Sequence, residues 1–293
     1  MTLRSLSTSP AFFGAVLMVL AGGLFAVVNT LVQHAVMVQG VPPARLAFWQ
    51  YAVALACAAP WLAAKGWAAL RTRVLGRHVL RVALAAGGVQ LWVIGLAYVP
   101  IWQAIALVML SPFFVTLGAA LLLREHATAH RWLAVTVGFA GGMVILAPWS
   151  DAFRVEALLP VGAAALWAAS SLLTKQMTRS ESPETLTVYL LLLLTPINAA
   201  LAVGDGIGME IGTVGALLLA IGLLTAVAQY ALVSSYVMAD ASFLQPFDHV
   251  KLPLNVALGI AAFGFVPPGT MWLGAMMIVG GSLYLLWHER GGK

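Results

Sequence analysis

Charge is what this sequence has least of. Lys, Arg, Asp and Glu make up 9% of its 293 residues, where soluble domains carry ~25%. So few charges cannot keep a globule of this size in water, and a soluble domain is excluded. The one cysteine, Cys57, stands in an apolar run. That excludes an intramolecular disulfide and argues against a thiolate metal cluster. The sequence also lacks HExxH, GxSxG, a P-loop and CxxC, the signatures of zinc proteases, serine hydrolases, nucleotide binding and dithiol redox chemistry. Asp248 and His249 could supply two members of a hydrolase triad only if Ser111 or Ser234 reached them. As neighbours on a helix they point ~100° apart. An enzyme is therefore not expected, and neither a cofactor nor a metal is expected.

What is abundant is apolar. Hydrophobic residues make up 62% of the chain and the mean hydropathy is +0.97. At ~20 residues per crossing, ten spans can be drawn: 11–33, 44–64, 79–99, 101–123, 129–148, 157–177, 185–203, 211–237, 241–265 and 269–288. Little chain is left for a soluble domain. The net charge of +5 sits in short loops, which explains it better than nucleic acid, so no nucleic-acid partner is expected. With the N-terminus inside, every Lys and Arg except Arg45, Arg154 and the intramembrane Lys251 falls in a cytoplasmic segment. The positive-inside rule then places both termini in the cytoplasm. Trp61, Trp67, Trp149 and Trp287 stand near span ends, as interfacial anchors do.

The ninth span is unlike the others. Its first half, Gln245-Pro-Phe-Asp-His-Val-Lys-Leu-Pro253, carries charge and two prolines. A charge at bilayer depth costs roughly 2.5–3.5 kcal/mol on insertion scales, so such residues face protein or a wet cavity. Asp248 and Lys251 are three apart and therefore neighbours on a helix. Gln245, Asp248, His249, Lys251 and Asn255 share one half of its surface. Pro246 and Pro253 lack an N–H and should free the carbonyls of Ser242 and His249. A structural ion pair would explain Asp248 and Lys251 without function. A pair facing a cavity could instead bind a zwitterion, and Lys251 or His249 could exchange protons, making protons a candidate coupling partner.

The two halves resemble each other at an offset of about 140 residues. Phe25–Leu31 aligns with Trp167–Leu173, Tyr98-Val99 with Tyr236-Val237, Pro112 with Pro253, and Gly141-Gly142 with Gly280-Gly281. Five crossings per half would invert the second half relative to the first, a transporter arrangement with its site at the midplane. The expected fold is thus all-α, ten transmembrane helices in two inverted five-helix repeats, residues 11–148 and 157–288.

Other polar and aromatic residues could line the cavity between them. Trp167, Ser170, Ser171 and Thr174 share a face of span six, and Phe25, Asn29 and Gln33 the corresponding face of span one. Membrane Ser and Thr more often bond between helices than to ligands, so Asn29, Trp167 and Ser171 are named as candidates beside that plain reading. Gln90, Trp92 and Tyr98 in span three and Tyr230 in span eight complete the set. Gly138-x-x-x-Gly142 reads as close helix packing.

The stretch Ala106-Leu-Val-Met-Leu-Ser-Pro112, continued by Leu121-Leu-Leu-Arg-Glu125, Trp132 and Gly138–Leu146, resembles the drug/metabolite transporter superfamily, in particular its EamA-type ten-helix members. Leu166-Trp-Ala-Ala-Ser170 and Lys175 fit as well. Within that group the chain is most similar to exporters of amino acids and aromatic metabolites, the YddG type. The resemblance implies a secondary active transporter that exports small metabolites across the inner membrane by alternating access, as a monomer or weak homodimer in the lipid bilayer. A drug or nucleotide-sugar carrier and an intramembrane enzyme are the alternatives. It gives Glu125 and Pro112, with Pro246 and Pro253, gating or structural roles. The chain departs from the family at Gly264-Phe-Val-Pro-Pro268, where a second Glu is common.

Overall fold

The computed structural model describes residues 10–66, 71–122, 128–151, 153–177, 180–208, 212–238, 244 and 247–291. Its elements are α1 (Pro10–Gln33), running into a π-helical turn at His34–Val38, α2 (Pro43–Lys65), α3 (Leu75–Tyr98), α4 (Ile101–Val108), α5 (Ser111–Leu122), α6 (Ala129–Leu146), α7 (Leu158–Met177), α8 (Pro183–Ala202), α9 (Thr213–Met238), α10 (Lys251–Phe263) and α11 (Gly269–Gly291). The protein is all-helical. Among the described residues seven spans are long and apolar enough to cross a membrane. Counting α4 and α5 as one, α2, α10 and α11 bring the crossings to ten.

Helix ends follow local chemistry. Ser182 caps α8 by accepting from the Thr185 N–H at 3.1 Å, with Pro183 in the first turn, where its missing N–H costs nothing. Thr128 caps α6 the same way. Gly264, at φ +68°, closes α10 and donates to Ile260 O at 2.9 Å, a left-handed turn that favours glycine.

Two crossings are interrupted. The fourth breaks at Met109–Leu110, just before Pro112. In the ninth, Phe247 and Asp248 are helical and a turn at His249–Val250 interrupts the helix before α10. Before it, Val250 N–H bonds Phe247 O at 3.2 Å and Leu252 N–H bonds His249 O at 3.1 Å. One expectation is corrected: the His249 carbonyl is not freed by Pro253, because Leu252 takes it in a tighter turn. Pro253 stands in the first turn of α10, where helical N–H groups have no intrahelical partner anyway. The thirteen residues of α10 rise only about 20 Å, short of a ~30 Å hydrocarbon layer. The rest of the crossing falls to residues before Lys251, and a turn such as His249–Val250 at that depth is stable only inside protein or beside a wet cavity. Gln245, Pro246 and Glu125 lie outside the described residues.

The most extensive helix pairings are α1 with α9, α3 with α7, α6 with α11, α2 with α8, α9 with α2, α3 with α8, α5 with α7, and α10 with α1. Exchanging α1, α2, α3, α4–α5 and α6 in order with α7, α8, α9, α10 and α11 maps this set onto itself. Glycines set the closest approaches. A Cβ on Gly141 would lie 2.7 Å from Gly274 O, and one on Gly274 2.6 Å from Gly141 O, so α6 and α11 meet backbone to backbone. Gly138 instead makes room for the buried Phe113 ring, 2.3 Å from where its Cβ would be.

Candidate functional site

Lys251 Nζ donates to Asp248 Oδ2 at 2.6 Å, with about a quarter of each side chain exposed. The pair forms because the turn Phe247–Val250 sets Asp248 three residues, about one helical turn, before Lys251 at the start of α10. Lys251 packs over Gly22 of α1, where a Cβ would be 3.6 Å from the lysine Cβ. One turn on, the wholly buried Asn255 donates to Lys251 O at 2.6 Å and accepts from Asn29 Nδ2 at 3.1 Å. Asp248, Lys251, Asn255 and Asn29 thus form a polar seam between α1 and α10. His249 stands beside it with both ring nitrogens out of solvent and without a hydrogen-bond partner. No serine or carboxylate bonds the ring, so the hydrolase arrangement is not formed. Buried polar atoms are normally satisfied, and an orphan calls for a water or a ligand.

Trp167 of α7 lies against α3. Its Nε1 donates to Ala85 O at 3.2 Å, and a Cβ on Gly88 would stand 2.5 Å from its indole. Trp92 is 6.2 Å away, ring centre to ring centre. Gln90 donates to the buried Asn198 of α8 at 2.8 Å. Gln33, also buried, ties α1 to the end of α3 through Leu96 O and Val99 O at 3.0 and 2.8 Å.

Three candidates do not join these groups. Tyr230 is 76% exposed and Tyr98 48%, and Ser171 is exposed. On α7 the buried face holds Ser170, whose Oγ donates to Arg81 O at 3.0 Å. Ser171, ~100° further round, turns outward.

The structure also shows a cluster that span-drawing missed, where α3 starts, α7 ends and α8 starts. Arg81, counted above with the cytoplasmic charges, is 4% exposed. It bonds Leu186 O at 2.7 Å and Thr174 Oγ1 at 3.4 Å, while its Nε has no hydrogen-bond partner. The wholly buried His78 stacks on Tyr189 at 4.2 Å and lies 3.6 Å from Glu181, which accepts from Thr72 at 2.9 Å. His78 and Arg81, three residues apart, share one helix face. That spacing was the signal available in the sequence.

At the opposite end of the bundle a cavity of about 370 Å³ is lined by Thr30, Leu31, His34, Gln39, Thr213, Leu217, Ala262 and Phe263. It does not touch the ion pair, yet it lies along the same α1–α10 seam. Lys251 and Ala262 are eleven residues apart, three turns on one face, or about 16 Å.

An all-helical bundle of apolar crossings, with buried charges between its helices and a cavity at one end, is that of a multi-pass membrane protein. Residues 12–147 match the EamA-like transporter family. The chain is 52% identical to a riboflavin transporter of Rhizobium johnstonii, over 99% of this chain and 96% of that one. It is 51% identical to a riboflavin transporter of Vibrio cholerae, over 91% and 90%. A solved crystal structure shares the fold at a TM-score of 0.63 and 18% identity, covering 97% of this chain and 98% of that one. The chain belongs to the EamA-like transporter family.

Proposed function

We propose that the protein carries riboflavin across the inner membrane by alternating access. The observation that carries the substrate is the identity of about half the residues, along nearly the whole length, to a riboflavin transporter. Riboflavin replaces the amino acids to which the sequence resemblance pointed. Export is not carried forward, because the riboflavin transporters it resembles are named for a substrate and not for a direction.

The α1–α10 seam suits this cargo. Riboflavin is uncharged and rich in hydrogen-bonding groups. The Lys251 ammonium can donate to its ring carbonyls, the Asp248 carboxylate can accept from its imide N–H or ribityl hydroxyls, and His249 has both nitrogens to offer. Two inverted five-helix repeats, supported by the self-mapping helix contacts, would place this seam where the halves meet. The tightly bonded Arg81 cluster and the cavity at the opposite end suit one half-cycle of such a carrier. The bias of basic residues supports cytoplasmic termini, with the Arg81 end inside.

The test is counterflow in proteoliposomes loaded with riboflavin and followed by flavin fluorescence. Exchange of riboflavin, with no exchange of amino acids, is the expected result. Exchange of amino acids but not riboflavin would restore the first expectation.

A further inference from the structure

We infer that the cavity at the outer end of α1, α9 and α10 is a stacking subsite for the flavin ring itself. The inference rests on the riboflavin reading and adds to it where the ring docks. Three independent features meet there. The chain of α1 loosens into the π-helical turn His34–Val38, and such turns cluster at functional sites. The turn places His34 on the cavity wall facing Phe263 of α10, the two rings lying 6.5 Å apart and inclined by 28°. Phe265 backs Phe263 in turn, at 5.2 Å and 23°, so the ring that faces the cavity is held by a second ring.

The wall chemistry matches a planar heteroaromatic ring rather than an amino acid or a sugar. Aromatic and aliphatic side chains cover the faces of the space. At its rim the Gln39 amide, which approaches His34 Nε2 at 3.2 Å, and the Thr30 and Thr213 hydroxyls can bond a polar ring edge. A flavin has this division, with an apolar dimethylbenzene edge and a hydrogen-bonding dione edge. Among the described residues no Asp, Glu, Lys or Arg lines the cavity, in keeping with an uncharged ligand. The ion pair lies about 16 Å along the seam, so the subsite is a first stop on the way to it.

The test uses the full-length protein in detergent. Riboflavin fluorescence is quenched when the ring stacks, and a titration reads the affinity. Phe263→Leu and His34→Ala should each weaken binding by roughly three- to tenfold, the usual worth of one aromatic stack, and Phe263→Tyr should restore it. Lumichrome, the tricyclic ring without its side chain, should displace riboflavin from the native protein and do so less well from Phe263→Leu. Ribitol should not compete. Native protein and both variants binding riboflavin alike, while riboflavin is still transported, would overturn the subsite alone. Displacement by ribitol and not by lumichrome would also overturn it. A native protein that transports no riboflavin would overturn the functional reading beneath it.

Discussion

At the scale of single residues, the Asp248–Lys251 pair decides most. Each charge is partly shielded and satisfies the other at 2.6 Å. Removing one leaves an uncompensated charge at bilayer depth. Exposed pairs are worth ~0–1 kcal/mol and breaking a buried pair costs ~3–5, so Lys251→Gln or Asp248→Asn alone should destabilise by about 1–3 kcal/mol. The double variant should recover that stability, because two neutral side chains can still bond each other. If the pair serves only the fold, transport recovers with stability. If it binds the flavin, the double variant melts like the native protein and loses riboflavin counterflow. Thermal melting in detergent must therefore be measured beside transport. The ion pair was legible in the sequence because its partners are three residues apart on one helix. Asn29 with Asn255 and Gln90 with Asn198 were not, because those bonds depend on which helices meet. The sequence marked Asn29 and Gln90 as candidates to line a cavity, and in the protein each bonds an asparagine of another helix.

At the scale of elements, hydropathy found every crossing, since an apolar run of ~20 residues has few other uses. It counted Arg81 with the cytoplasmic charges although the drawn span 79–99 already holds it, because a basic residue so near a span end reads as interfacial. In the protein the helix begins at Leu75 and takes His78 and Arg81 inside. Helix contacts were legible only in part. Gly138-x-x-x-Gly142 signalled close packing, but its glycines receive Phe113 and Leu110 from the preceding crossing, and it is Gly141, between them, that meets α11. That contact yields a prediction. A methyl group at position 141 would stand 2.7 Å from a backbone carbonyl, which cannot rotate away as a side chain could. Gly141→Ala should therefore push α6 from α11 and cost about 1–3 kcal/mol, read as earlier unfolding in mixed detergent and denaturing surfactant. Unchanged unfolding would mean that the two helices separate without loss.

At the scale of the whole molecule, the two ends differ in a way that the repeat makes meaningful. The Arg81 cluster joins the start of α3 to α7 and α8, and the exchange of halves carries those ends to the start of α9 and to α1 and α2. Two of those, the end of α1 and the start of α9, line the cavity together with α10. One junction is held by hydrogen bonds and its counterpart borders a cavity, so loosening the first should close the second. The experiment needs a background in which the exposed Cys57 is serine. One reporter is Thr185→Cys, at a buried position next to Leu186, whose carbonyl Arg81 holds. The other is Thr30→Cys on the cavity wall. A hydrogen bond to a charged group is worth ~1.5–3 kcal/mol, so Arg81→Gln should move the ratio of the two states by roughly ten- to a hundredfold. Maleimide labelling at position 185 should rise and labelling at position 30 should fall together. If both rise, the substitution has loosened the bundle; if neither moves, the cluster serves packing alone, and in either case the two ends are not coupled through Arg81.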